Sequence, residues 1–134
     1  MSIWLPKKIL AVDDNPVILK ATQQILQKSG YEVLQATDGP EAVSAARTEK
    51  PDLILLDLSF PPDPMSGPLA DGFDVIEWLH RMPESKNIPI IIISDTPPSQ
   101  YKSRFTEGEI AGFYQKPLDK KQMLAAIEAV LGEN

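Results

Sequence analysis

The chain has 134 residues, of which 43% are hydrophobic and 24% charged, a composition that excludes a disordered tail and predicts one globular domain spanning residues 1–134. It has no cysteine, which excludes disulfides and thiolate metal sites, and its apolar runs fall far short of the ~20 residues of a membrane span. A net charge of −6 with scattered basic residues argues against direct nucleic-acid binding. These features predict a cytoplasmic protein, and a homodimer is among the partner arrangements left open.

Short β-branched runs alternate five times with helical patterns, which predicts parallel strands joined by helical crossovers. The predicted strands are Ile9 to Val12, Tyr31 to Ala36, Leu53 to Leu56, Ile90 to Ile93 and Gly112 to Gln115. The third and fourth strands are apolar on both faces, so we expect them to be central and covered by helices on each side.

The first helix is predicted to begin after the N-cap Asn15, with Pro16 at its first position, and to end at Gly30. Its core face is predicted to comprise Ile18, Ala21, Ile25 and Leu26. The second helix is expected to start at Asp38, which has capping-box spacing to Glu41, and to end before Pro51. Its predicted inner face consists of Ala42, Val43 and Ala46.

Two further helices are predicted, one from about Phe73 to Met82 and one starting from Asp119. The last helix is expected to bury Met123, Leu124, Ile127 and Leu131 before Gly132. A helix between the fourth and fifth strands is expected to be short, because Pro97 and Pro98 delay its start and only Tyr101 and Phe105 suggest an apolar face.

Polar and ionisable side chains directly follow four of the predicted strands. In parallel sheets, ligand sites lie at the carboxyl ends of the strands. They are Asp13, Asp14, Asp57, Ser94 and Lys116. Converging carboxylates repel one another, and a hard cation such as Mg²⁺ would relieve that repulsion. A lysine and a hydroxyl can hold phosphoryl oxygens, and an ionised Asp57 can act as a nucleophile. Taken singly, each residue could instead be a turn, a cap or a solvated side chain.

The same residues carry a resemblance to the receiver domains of two-component response regulators, which covers essentially the whole chain. The matching strings are Ile9 to Asp14, Leu53 to Asp57, Asp71 to Val75, Ile91 to Ser94 and Lys116-Pro117. The resemblance implies a flavodoxin-like α/β fold, with a five-stranded parallel sheet in order 2-1-3-4-5 and helices on both faces. It also implies Mg²⁺-dependent phosphorylation of Asp57 that switches the conformation read by a protein partner.

The resemblance assigns roles residue by residue. Asp57 matches the phosphoacceptor, and the Mg²⁺ ligands match Asp14, Asp57 and the backbone carbonyl of Ser59, while Asp13 holds metal-bound water. Ser94 matches the hydroxyl that follows the phosphoryl group, Lys116 the phosphoryl-binding lysine, and Phe113 the aromatic residue that changes rotamer. The implied partners are a sensor histidine kinase or phosphotransfer protein and a downstream protein target. The implied catalysis is limited to the domain's own phosphoryl transfer and slow autodephosphorylation.

Three features depart from the family pattern. Extra Pro-rich sequence from Phe60 to Ala70 delays Asp71-Gly72, and we expect it to form a semi-rigid flap beside the pocket. Asp95 stands where a small residue is usual, so Asp95 and the adjacent Thr96 are predicted to modulate phosphorylation. The segment from Pro97 to Ile110 lacks the usual Ala-rich helix.

Two other functions fit parts of the pattern. A haloacid-dehalogenase-like phosphatase also combines Asp, Ser or Thr, Lys and Mg²⁺, but it needs an acid two positions after the nucleophile, where this chain has Asn15 after Asp13. A pseudo-receiver would keep the fold and act as a phosphorylation-independent binding module. The lone His80 is interpreted as a half-exposed helix residue and not as a phosphohistidine, which would belong to a helical bundle.

Overall fold

A computed structural model describes residues 6–58 and 72–132 of the chain. Its strands form one parallel sheet in the order β2-β1-β3-β4-β5. They are β1 (Lys8–Val12), β2 (Glu32–Ala36), β3 (Leu53–Asp57), β4 (Ile90–Ser94) and β5 (Gly112–Gln115). The predicted fold class and strand order are confirmed, and the sheet is parallel throughout.

Four α-helices cross between the strands or follow the last of them: α1 (Pro16–Lys28), α2 (Gly39–Glu49), α3 (Gly72–Arg81) and α4 (Lys120–Leu131). The predicted caps are present. The Oδ1 atom of Asn15 accepts a hydrogen bond from the backbone N of Val17 at 2.9 Å, and Asp38 Oδ1 accepts one from Glu41 N at 2.8 Å. These caps satisfy amide groups that have no partner inside the first turn of the helix.

The core lies in two layers on opposite faces of the sheet. The first layer joins β-strand side chains to α2 and α3, with Ala42, Val75 and Leu79 among its buried members. The second layer joins the other face to α1 and α4 through Leu26 and Ile127. All five residues of β3 are buried, as expected for a central strand covered on both faces.

The prediction for the core face of α1 is wrong in part. Leu19 and Leu26 are the buried residues of this helix, whereas Ala21 is exposed and Ile18 is 42% exposed. Leu19 and Leu26 are seven positions apart and therefore lie on one face, and Ile18 is rotated from that face by about 100°.

Along α4, Met123 and Ile127 are buried as predicted, but Ala126 is buried with them, and Leu124 and Leu131 are only half-buried.

The chain between β4 and β5 forms no α-helix. The connecting segment, defined as residues 97–110, contains only two 3₁₀ turns, Pro98–Gln100 and Lys102–Arg104. Pro98 has no N–H, and a ring at this position restricts the preceding residue to extended backbone, so an α-helix cannot start before it. Proline is tolerated at the first position of a helix, as Pro16 shows in α1, so Pro98 alone does not exclude a later helix start. In place of the short helix expected here, the segment contains tighter single turns.

Among the residues that the structure describes, none of the helices is long and apolar enough to cross a membrane.

Candidate functional site

The carboxyl edge of the sheet brings together the polar residues that the sequence placed after the strands. Asp57 ends β3 and Ser94 ends β4, while Asp13 follows β1 and Lys116 follows β5. Asp13, Asp57 and Ser94 are only 6%, 5% and 3% exposed. The parallel topology therefore brings these residues to one edge, as the sequence predicted, and the structure also buries two carboxyl groups and a hydroxyl there.

Lys116 is the basic group that offsets the negative charge of the carboxylates at this edge. Its Nζ lies 2.6 Å from Oδ2 of Asp57 and 3.8 Å from Oδ2 of Asp13. Burial lowers the pKa of Lys116, but the hydrogen bond and charge of Asp57, with the charges of Asp13 and Asp95, outweigh that effect and raise it. Lys116 therefore remains a cation directed at Asp57 across the whole physiological pH range.

Asp13 is electrostatically strained by its surroundings. The pKa of Asp13 is raised from 3.8 to about 7, chiefly by burial, and a hydrogen bond to Asp57 and the charge of Asp57 act in the same direction. The backbone N–H of Asn15, 3.0 Å from Asp13 Oδ1, and the charge of Lys116 act in the opposite direction. The repulsion between carboxylates that the sequence suggested is therefore present, and one lysine does not remove it.

Asp14 completes an acidic cluster with the two buried carboxyls. It is exposed, and ligand oxygens of Asp13, Asp14 and Asp57 all lie within 4.8 Å of one another. Oxygen ligands at this spacing, with one exposed side on which water can remain, suit a hard divalent cation such as Mg²⁺. Burial and the charge of Asp57 raise the pKa of Asp13, and a cation would favour its ionised form against both effects. The donor set therefore fits the metal that the sequence predicted.

An apolar cavity of about 400 Å³ opens beside the acidic cluster, between α1 and α4. Asp13, Asp57, Asp95 and Lys116 line its polar end. Its apolar wall includes Ile18, Leu19, Ile93, Pro117, Leu118 and Met123. The sequence analysis missed this cavity, although Ile18 and Leu118 were visible as apolar residues beside polar site positions.

Ser94 and Thr96 form a short turn next to the acidic cluster. The hydroxyl of Ser94 accepts a hydrogen bond from the backbone N of Thr96 at 3.1 Å, and its carbonyl accepts one from Lys116 N at 2.8 Å. Ser94 therefore ties the start of the connecting segment to the residue that contacts Asp57. Thr96 itself is exposed.

Asp95 is exposed at the rim of the cavity, and its charge contributes to the raised pKa of Lys116. Its side-chain position agrees with the predicted place near the pocket. Ser59 and the Pro-rich stretch from Phe60 to Ala70, with Asp71, lie outside the described residues.

Phe113 lies apart from the acidic cluster, on the face of the sheet covered by α2 and α3. Its ring contacts those of Tyr101 and Phe105, each with a centroid separation of 5.9 Å. The ring of Phe73 in α3 stacks on Phe105 at 6.0 Å. We call Phe73, Tyr101, Phe105 and Phe113 the ring cluster; the sequence analysis identified three of its members but not their association with Phe73.

Comparison with known proteins identifies the class of this site. The family model of the response regulator receiver domain matches residues 9–128. The polar-differentiation response regulator DivK of Brucella anthropi is 29% identical over 129 residues, covering 96% of this chain and 99% of DivK. DivK of Brucella ovis is 28% identical over the same length.

Solved structures agree with this relationship. The chemotaxis response regulator CheY4 of Vibrio cholerae is similar with a TM-score of 0.80 and 28% identity, covering 94% of this chain and 99% of that one. A CheY-like receiver domain protein from Methanospirillum hungatei has a TM-score of 0.82 at 26% identity and covers 96% of both chains. The chain belongs to the response regulator receiver domain family.

Proposed function

We propose that this chain is a single receiver domain, residues 1–134, that accepts a phosphoryl group on Asp57 and signals by a change of conformation. The observation that carries the proposal is the position of Lys116, with its Nζ 2.6 Å from the buried carboxylate of Asp57. A cation held this close to a nucleophile can also hold the oxygens of a phosphoryl group attached to it.

The reaction follows from the chemistry of the two groups. A carboxylate oxygen of Asp57 attacks the phosphorus, and an acyl phosphate bond forms while the P–N bond of a donor histidine breaks. The electron pair of that bond remains on the imidazole nitrogen. An ionised carboxylate needs no general base, so Lys116 serves to offset charge and not to accept a proton.

Mg²⁺, held by Asp14, Asp57 and the backbone carbonyl of Ser59, with Asp13 holding metal-bound water, would offset the negative charge of the phosphoryl oxygens. The raised pKa of Asp13 and the spacing of the three carboxyl groups support the part of this set that Asp13, Asp14 and Asp57 supply. Ser94 ends β4 at this edge and is buried, and we assign its hydroxyl to the phosphoryl oxygens. Phe113 responds to the movement of Ser94, and Asp95 and Thr96 modulate the reaction.

The expected partners are proteins. A sensor histidine kinase or phosphotransfer protein donates the phosphoryl group in the cytoplasm, and a downstream protein reads the phosphorylated state. Ile18, 42% exposed, lines the cavity that leads to Asp57, and the preceding Val17 is 75% exposed. These two apolar side chains provide a surface for the donor. The domain catalyses only its own phosphoryl transfer and slow autodephosphorylation, and is otherwise a signalling protein.

Incubation with a small acyl phosphate, with and without Mg²⁺, tests the proposal. We expect a Mg²⁺-dependent label on the parent protein and its loss in Asp57→Asn, because the amide cannot attack the phosphorus. Asp52→Asn, a change at an exposed aspartate at the opposite end of β3, is the matched control and should label normally. Undiminished labelling of Asp57→Asn would exclude Asp57 as the acceptor.

A phosphorylation-independent binding module is the second candidate. The proximity of Asp95 to Lys116 favours it, because a fourth carboxylate at the pocket opposes an incoming dianion. Failure of the parent protein to take up label from either a small donor or a kinase would favour this candidate.

A further inference from the structure

The apolar wall of the cavity between α1 and α4 belongs largely to helices and strands. The cavity volume of about 400 Å³ lies within the range of small-molecule sites. Leu19 of α1, Leu55 of β3 and Met123 of α4 all line the cavity, and all three are buried. Because core packing fixes these side chains, the wall is already formed before any ligand arrives.

The polar end of the cavity carries an excess of negative charge. Asp13, Asp57 and Asp95 supply three carboxyl groups there, and Lys116 supplies the one ammonium group among the described lining residues. The Nζ atom of Lys116 lies 2.6 Å from Oδ2 of Asp57, so its charge acts mainly on that carboxylate. Negative charge therefore remains in excess at this end, whether or not Asp13 is protonated.

An apolar wall beside an excess of carboxylates selects one chemical class of ligand. An ammonium group is attracted to the polar end and can donate three hydrogen bonds to carboxylate oxygens. A compact apolar body attached to that group would displace water from the wall. A carboxylate head would be repelled, and a neutral ligand would take water from the carboxyl groups without bringing a cation in exchange.

We propose that this cavity binds a small organic cation, with an ammonium group among Asp13, Asp57 and Asp95 and a compact apolar body against Leu19 and Met123. Asp57 also belongs to the proposed Mg²⁺ site, so the organic cation and Mg²⁺ compete for the same carboxylate. This competition rests on the proposed function, whereas the binding of the organic cation does not. A bound organic cation keeps the domain free of Mg²⁺.

Three probes of similar size and different charge test the proposal: cyclohexylmethylammonium, cyclohexylmethanol and cyclohexanecarboxylate. Each is titrated into the full chain in the presence of a chelator, and methyl NMR of Leu19, Leu55 and Met123 reports binding. Val75 and Leu79, in the core layer on the opposite face of the sheet, are the reference signals. We expect the ammonium probe to bind at least roughly tenfold more tightly than the alcohol, and the carboxylate probe not to bind.

Two variants separate the effect of charge from that of shape. Asp95→Asn removes one carboxylate from the exposed rim and should lower the ratio of ammonium to alcohol affinity several-fold. Glu107→Gln, an equal change of charge at an exposed position outside the cavity, is the matched control and should leave that ratio unchanged. Thr22→Trp places a large ring on the cavity wall and should weaken both probes at least roughly tenfold. Asp95→Asn decides the matter if Thr22→Trp does not fold.

Equal affinities for the ammonium and alcohol probes would overturn the proposal, since the polar end would then not select a cation. Absence of binding by the ammonium probe up to its solubility limit would also overturn it. The same holds for methyl shifts spread evenly over both core layers, and for an affinity ratio in Asp95→Asn equal to that of the parent protein.

A Mg²⁺ titration of the ammonium complex, after removal of the chelator, tests the competition. The apparent dissociation constant of the probe should rise steadily with the Mg²⁺ concentration. A probe affinity that Mg²⁺ leaves unchanged overturns the competition while the organic cation site stands. Failure of Asp57 to take up label would overturn the proposed function alone, because probe binding is measured without phosphorylation.

Discussion

Individual residues at the carboxyl edge of the sheet interact mainly through charge. The Nζ atom of Lys116 lies closest to Oδ2 of Asp57, at 2.6 Å, and is 3.8 Å from Oδ2 of Asp13. Because Asp13 and Asp57 are both buried, neither charge is screened well by solvent. Changes of charge at this edge should therefore have larger effects than similar changes on the surface.

The raised pKa of Asp13 predicts a pH dependence of stability in the metal-free protein. The pKa is about 7 in the folded chain against 3.8 for a free side chain, so the folded state binds more protons between these values. The contribution of Asp13 to the free energy of unfolding therefore falls as pH rises from about 4 to about 7, by at most ~1.4 kcal/mol per pH unit.

Denaturant unfolding of parent and Asp13→Asn in a chelator, at several pH values, measures this effect. We expect Asp13→Asn to gain stability relative to the parent as the pH rises, because its amide does not ionise. Asp14→Asn removes the exposed carboxylate of the same turn and serves as the control. A stability difference between parent and Asp13→Asn that does not vary with pH would contradict the raised pKa of Asp13.

Asp95 is predicted to slow the arrival of a phosphoryl donor. Its charge acts on Lys116 and lies at the rim of the cavity that leads to Asp57. Asp95→Ala should therefore take up label from a small acyl phosphate several-fold faster, and the gain should shrink at high salt. Glu107→Gln removes one charge from an exposed position outside that cavity and should not change the rate. Equal rates for Asp95→Ala and the parent would show that its carboxylate does not oppose the donor.

Within the single helix α1, two adjacent side chains have different roles, one in the core and one at the cavity. Leu19 is 2% exposed and packs into the core, whereas Ile18 is 42% exposed and lines the cavity. The helix geometry produces this difference, since successive residues differ by about 100° around the axis. Stability and donor binding should therefore respond to different residues of the same turn.

We expect Leu19→Ala to lower the free energy of unfolding by ~2–5 kcal/mol, since it leaves a cavity in the core. Ile18→Ala should cost about 1 kcal/mol or less, because the side chain is partly exposed. Chemical denaturation of both variants measures the contrast. A larger loss for Ile18→Ala than for Leu19→Ala would mean that the burial of this turn is wrongly assigned.

Ile18→Ala should instead reduce phosphoryl transfer from a cognate kinase while leaving transfer from a small acyl phosphate unchanged. A protein donor must contact the surface beside the cavity, whereas a small molecule need only reach Asp57. Gln24→Ala, an exposed change on α1 away from the cavity, is the control. Equal kinase rates for the Ile18 variant and the parent would place the donor surface elsewhere.

The whole molecule concentrates three carboxyl groups of a chain with net charge −6 at one edge of its sheet. Mg²⁺ binding there should stabilise the folded state, because the unfolded chain does not hold these groups together. At a concentration one hundred times the dissociation constant, the gain is ~2.7 kcal/mol. Thermal unfolding of parent and Asp57→Asn with and without Mg²⁺ measures it, and we expect a clearly smaller shift for the variant. The same Mg²⁺ shift in both proteins would show that Asp57 does not help bind the ion.

The sequence pattern predicted the parallel sheet and the meeting of Asp13, Asp57, Ser94 and Lys116, and the resemblance to receiver domains supplied the strand order. The local signals agree with one another, since apolar strands alternate with capped helices and the polar residues follow the strands. Parallel topology then places these strand ends at one edge whatever the details of packing. Proton affinities, by contrast, depend on burial and on the distances between charges, so the raised pKa of Asp13 could not be read from residue order.

Tertiary structure decided the features that depend on packing between distant parts of the chain. The choice of Leu19 over Ile18 depends on how α1 is rotated against the sheet. The ring cluster joins Phe73, Tyr101, Phe105 and Phe113 from three separate stretches, and no periodic pattern links them. The cavity between α1 and α4 likewise exists only because the surfaces of these two helices do not contact each other there. Local sequence determines where a helix or strand forms and where it ends. How that element is rotated and what it contacts depend on the packing of the whole core.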